Sequence, residues 1–422
     1  MPTLHSLSCN FLSSSARRAV RWVTRLRVHV CLRERSVFDV TPTPRDASTM
    51  KAPILRLSTP ILRLSKGLRW HMFLSHIWST GQDQNTVLKR SLQLALPGAS
   101  IFQDVDDWNP DWDPDARKEI VEQSCVVSVF LSKGYFRSRN CQKELQCAHD
   151  QQKPLVLVHD PQRGGAPLEE IKQECPDDLR SFVFDGRTVI VWHRFKAFHN
   201  LSIRLIATEM LRHTPYYQGI PGQLSLVLPG EVHMAELALP KPLTLWCSSS
   251  NPGAAAAAQE LLSALKLGGG PSIQLVDTPP SRLDRNQSFG AADEEPVTML
   301  LYLSHDTFVG EVGDVLADEV RAARAGGLKI VLVHETDPER GGCEFASFFA
   351  TTPQDLISGG LFSRIAFALH EWPHRAVSLV LLAKLLGAVK KGVSRLALSQ
   401  ALSQALSQAR RSKPTVVELN IA

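Results

Sequence analysis

The residue whose type and setting most invite chemistry is Glu144. Cys141, Glu144, Leu145 and Ala148 fall at i, i+3, i+4 and i+7, one helical stripe that is apolar except for the glutamate. A carboxylate in such a stripe is costly unless it is paired or lines a cleft. In a cleft it can stabilise a developing positive charge or hold sugar hydroxyls, as carboxylates do in glycoside hydrolysis. The plainer alternative is a glutamate at the stripe's edge that reaches solvent or caps a neighbouring strand. Ser75 and His76 close one apolar run, and Ser132 and Tyr135 follow another. Those are places where open α/β sheets bind ligands, and also places where ordinary loop residues sit. Asp104, Asp106 and Asp107 form an acidic cluster of the kind a phosphoacceptor or magnesium site uses, but the first run ends in Ser-His rather than in a second acidic pair. Trp108 and Trp112 flank Pro110 and can serve as an aromatic lid, an interaction surface or simple packing.

The elements that must position these residues alternate in type. Trp70–Ser75, Ser100–Asp104, Val126–Ser132, Leu155–His159 and Thr188–Trp192 are short apolar or β-branched runs, and Asn85–Leu96, Asp115–Gln123, Asn140–Asp150 and Ala197–Arg212 have helical spacing. Alternation of this kind predicts an α/β fold, a parallel sheet with helices on both faces.

The same order of landmarks recurs later in the chain. Leu155–His159 with Pro161–Gly165 returns as Ile330–His334 with Pro338–Gly342. Val129–Ser132 with Phe136 returns as Leu301–Ser304 with Phe308, and Glu144 returns as Glu319. The two Arg-Gly-Gly runs, ending at Gly165 and Gly342, read as turns rather than phosphate loops. Two units of one architecture are therefore expected, at 68–214 and 242–390, with a linker at 215–241. The second keeps the glutamate stripe as Leu316, Glu319, Val320 and Ala323, but its first run, Leu243–Cys247, leads into Ser-Ser-Ser-Asn. It reads as an eroded copy that acts as a scaffold, pairing with the first.

Composition narrows the classes of function. The chain has 422 residues, 44% of them hydrophobic, and a formal charge of +5. Much of that charge lies in a basic leader over 1–67, where Arg17, Arg18, Arg21, Arg25, Arg27, Arg33 and Arg35 have Glu34 as the single acid among them. The remainder is near neutral, which speaks against nucleic acid as a partner. The leader has the character of a transit segment, with an organellar location as the alternative to a cytoplasmic one; a start at Met50 would remove most of it. Eight scattered cysteines without metal-ligand spacing indicate neither a disulfide framework nor a metal, and no stretch predicts a membrane span. The tail over 391–422 repeats Ala-Leu-Ser-Gln and reads as a short helix or an irregular end.

With these residues in hand, the first unit resembles the Toll/interleukin-1 receptor (TIR) domain family. Met72–His76 is similar to that family's opening strand, with Gly81–Asp83 in the loop after it. Phe102–Asp104 with Val105–Trp108 is similar to its second strand and the start of its BB loop. Ser132–Ser138 followed by Cys141–Leu145 is similar to its third strand and the helix after it, the most specific of the matches. The chain departs from the family in the His76–Trp78 run, in Asn140 where plant members carry tryptophan, and in a BB-like loop without glycine. The resemblance implies a flavodoxin-like fold and signal transduction by self-association or association with other TIR proteins, as in innate immunity. For some members it implies hydrolysis of NAD to nicotinamide. Carried onto this sequence, it implies Glu144 as the catalytic carboxylate and Ser75, His76, Trp78, Ser132, Tyr135 and Cys141 as the substrate-binding side. Asp106, Asp107, Trp108 and Trp112 would form the interaction loop. It implies no cofactor, with NAD as substrate.

Overall fold

Five runs too short for anything but strands form the first sheet, because each places apolar side chains on both of its faces. The computed structural model describes residues 62–107, 116–162, 165–218, 226–228, 231–266, 273–278 and 297–391. The leader up to residue 61, Trp108 and Trp112, most of the first Arg-Gly-Gly turn and the Ala-Leu-Ser-Gln tail lie outside these residues. The chain divides into two compact units between Glu231 and Val232.

In the first unit, β1 (Trp70–Ser75), β2 (Ile101–Phe102), β3 (Ser124–Leu131), β4 (Leu155–His159) and β5 (Val189–Val191) form a parallel sheet in the order β2-β1-β3-β4-β5. This is the flavodoxin-like order, whose switch point lies between β1 and β3. Side chains alternate along β1 and so build two cores. Met72 and Leu74 pack with Leu88 and Leu92 of α1 (Trp78–Ala95) and with Ile206 and Met210 of a later helix, Lys196–Arg212. On the other face Phe73 packs with Ile120 and Val121 of Ala116–Glu122 and with Leu145 of Arg139–Asp150. Burying each such side chain contributes about 1.5–3 kcal/mol, so helices on both faces follow from the alternation.

Two local expectations are corrected. Gly81–Asp83, expected in a loop, is helical, since α1 begins at Trp78. Gly81 is buried there, and a Cβ on it would approach both His76 Cβ and Phe130 Cδ1 to 3.3 Å. The second strand stops at Phe102, and Asp104–Asp107 is a helical turn. The Asp107 carboxylate accepts from Gln103 N at 2.9 Å and pairs with the buried Lys89 ammonium, which ties the turn to α1.

The second unit opens with β6 (Leu237–Ala238), which pairs with Val389–Lys390, and then has β7 (Leu243–Trp246), β8 (Ile273–Val276), β9 (Val297–Leu303), β10 (Lys329–Glu335) and β11 (Phe367–Leu369) in a sheet of order β11-β10-β9-β7-β8. From β7 onward this is the same pattern as in the first sheet. One face carries Ala254–Lys266 and Arg375–Leu385, the other Gly310–Ala325. The protein is thus α/β with two parallel sheets flanked by helices. No helix among the described residues is long and apolar enough to cross a membrane.

Candidate functional site

Helix Arg139–Asp150 places Glu144. It starts at Ser138, whose hydroxyl accepts from Cys141 N at 3.4 Å, and it buries Cys141, Glu144, Leu145, Cys147 and Ala148. Replacing Ser138 with alanine is expected to cost about 1 kcal/mol, read as a lower denaturant midpoint with an unchanged slope.

Glu144 is only 7% exposed. Ser75, the last residue of β1, faces it because odd positions of that strand point to the Arg139–Asp150 side. The Ser75 hydroxyl donates to Glu144 Oε2 at 2.7 Å and lies 2.6 Å from the Tyr135 hydroxyl. Arg117 Nε lies 3.3 Å from Glu144 Oε1, with its side chain 24% exposed. Burial pushes the carboxyl up to about 7, against the opposing pull of the Ser75 hydroxyl and the Arg117 guanidinium. A carboxyl in that range exists in both protonation states near neutrality. Tyr135 is fully buried and its phenol is raised well above 10, first by burial, so it stays a neutral hydroxyl. Cys141 is pushed up to about 12 by burial and then by the Glu144 charge, which excludes a thiolate nucleophile at neutral pH.

The even positions of β1 open onto the other side. His76 is 5% exposed, with Nδ1 3.2 Å from the Leu74 carbonyl, while Nε2 has no hydrogen-bond partner among the described residues. Nε2 stands 3.7 Å from Asp104, but burial outweighs that carboxylate and lowers the imidazole below its ordinary value, so the ring is neutral. Trp78 donates Nε1 to Asp104 at 2.6 Å and is 64% exposed. Ser132 is buried and shares a 2.9 Å hydrogen bond with Thr80, not with Glu144.

The sequence candidates therefore fall into two groups. Ser75, Tyr135, Cys141 and Glu144 converge on one side of the β1 terminus, and His76, Trp78 and Ser132 stand elsewhere along the same sheet edge. Asp106 and Asp107 are drawn towards Lys89. Arg117, the cation on Glu144, was not singled out by sequence; nothing distinguishes it among the charged residues of Ala116–Glu122.

The second unit repeats part of this arrangement. The Ser248 hydroxyl donates to Glu319. Thr307, three residues after Ser304 as Tyr135 is after Ser132, bonds the Tyr302 carbonyl at 3.0 Å instead.

No family model matches the chain, and no curated protein matches it. Among solved structures it is similar to the TIR domain of a Toll-related receptor from Hydra magnipapillata, at 15% identity over 34% of this chain and 98% of that one, with a TM-score of 0.25. It is similar to the TIR domains of the activated Roq1 resistosome, at 16% identity over 32% and 95% of the two chains, TM-score 0.24. A metazoan TIR-STING receptor from C. gigas is similar at 12% identity over 54% and 95%, TM-score 0.26.

Proposed function

We propose that the first unit is a TIR-type domain that hydrolyses NAD, with Glu144 as the essential carboxylate. The observation that carries this reading is a buried glutamate, raised to about 7, held by the terminal serine of β1 next to the sheet's switch point. Cleavage breaks the bond between ribose C1′ and the nicotinamide nitrogen. The electron pair leaves with nicotinamide, and the positive charge passes to the ribosyl ring. A carboxylate next to that ring stabilises the charge. Water then adds at C1′ and releases its proton, giving ADP-ribose. Ser75 orients Glu144, and Tyr135 holds Ser75.

The experiment is incubation of the purified full chain with NAD while nicotinamide release is followed, in the wild type and in Glu144→Ala. Release that survives the substitution removes Glu144 from the chemistry; no release from the wild type at high protein concentration removes the activity. Because the ionised carboxylate is the working form, release should rise through about pH 7. Ser75→Ala removes a hydrogen bond that favours the ionised form, so the midpoint of the pH–rate profile should move upward.

A second reading is a signalling module that works by self-association and association with other TIR proteins, without catalysis. The Arg117–Glu144 ion pair favours it, since a paired buried carboxylate also suits a purely structural role. On either reading the second unit acts as a scaffold derived from the same architecture, with the Ser248–Glu319 pair retained and the tyrosine lost.

A further inference from the structure

The first unit holds an open cavity of about 880 Å³ on the α1 side of its sheet edge, away from Glu144. Trp78, Asp83 and Val87 of α1 line it on one side, and Arg194 and Lys196 line it on the other. Lys196 is the first residue of the helix that follows β5, and no described acidic side chain pairs with it. Arg194 pairs with the buried Asp160 at the end of β4. Neither N-cap residue, Ile77 or Phe195, offers a capping side chain, so both helices present their amino ends without one.

The second unit shows what the corresponding corner looks like when the chain fills it. Arg375 is the first residue of the helix that follows β11. It is 1% exposed, and it binds Glu335 at the end of β10 and Glu260 on Ala254–Lys266, at 3.1 and 2.7 Å. Glu260 lies twelve residues after Ser248, and Val87 lies twelve after Ser75. The register holds across both helices, because buried Gly81, Asn85 and Leu88 coincide with buried Ala254, Ala258 and Leu261. By its partner, the first unit's counterpart of Arg375 is Arg194, which meets Asp160 after β4 as Arg375 meets Glu335, while an exposed valine stands in place of the second carboxylate and the exposed Lys196 adds a second cation beside it.

We infer that this corner of the first unit binds a phosphate-bearing nucleotide, whose phosphate takes the place beside Arg194 that the Glu260 carboxylate takes against Arg375 in the second unit, with the exposed Lys196 supplying the net positive charge. The exposed indole of Trp78 offers a face for the base. Asp83 can accept from ribose hydroxyls. Arg194, already neutralised by Asp160, supplies donors without adding net charge.

The test is calorimetric titration of the full chain with ADP, which carries no nicotinamide–ribose bond and so separates this site from the cleavage reading. The wild type should bind ADP and inorganic pyrophosphate and should bind adenosine at least about tenfold more weakly than ADP. Lys196→Glu and Val87→Glu should each weaken ADP by at least about tenfold, the second because it installs the carboxylate that the other unit already has. Both positions are exposed, and unchanged thermal unfolding would verify that the variants fold. No heat with ADP at millimolar concentration, or ADP affinity that survives both substitutions, overturns the proposal.

Discussion

Glutamine in place of Glu144 is expected to cut nicotinamide release by at least about 100-fold and, at pH 8, to make the protein more stable. The two effects have one cause. Glutamine keeps the shape and can still accept from the Ser75 hydroxyl; what it removes is a negative charge in a site only 7% exposed. That charge is what a ribosyl cation needs, and it is also what burial penalises. The carboxyl stands at about 7 in the folded chain against an ordinary value of 4.5. A raised acid contributes stability in its protonated form, fully present below pH 4.5 and lost as the pH rises through about 7. At pH 8 the wild type therefore carries the cost of the ionised group, about 3 kcal/mol, with the attractions of Arg117 and Ser75 already set against burial in that figure. Melting curves should show the variant above the wild type at pH 8, with the gap closing towards pH 5. A gap that widens on acidification would contradict the burial argument, and full activity in the variant would contradict the site.

How much of this was legible in the sequence depends on whether local pattern or tertiary contact decides the matter. The strands were legible because each is a short apolar run, and β4 was bounded correctly as Leu155–His159. The start of α1 was not, because its first turns carry Gly81 and polar residues whose place is set by Phe130 packing against the glycine. The Asp104–Asp107 turn was missed for a similar reason: its cap is Asp107, held by Lys89 from another helix. At the site, Glu144 was marked by the apolar stripe around it, and Ser75 and Tyr135 by their places after strands. That Ser75 meets Glu144 while His76 does not follows from the two-residue period of β1. Arg117 left no trace, since an ion pair between helices has no sequence period.

The second unit offers the other large effect. Arg375→Met should destabilise that unit by about 3–5 kcal/mol, because it leaves the Glu335 carboxylate, 0% exposed, without its cation. Both Glu335 oxygens accept from Arg375 at 3.1 Å; Tyr302 OH at 2.9 Å and the amides of Thr336 and Asp337 at 3.1 and 3.0 Å remain, and none carries charge. Hydrogen exchange at the amides of β9 and β10 reads the effect within the unit, apart from any transition elsewhere in the chain. Adding Glu335→Met to Arg375→Met should recover much of the stability, since a buried pair replaced by apolar side chains of similar size is often neutral. A double variant no better than the single one would mean that Arg375 acts through its packing, and that the corner is closed by shape rather than by charge.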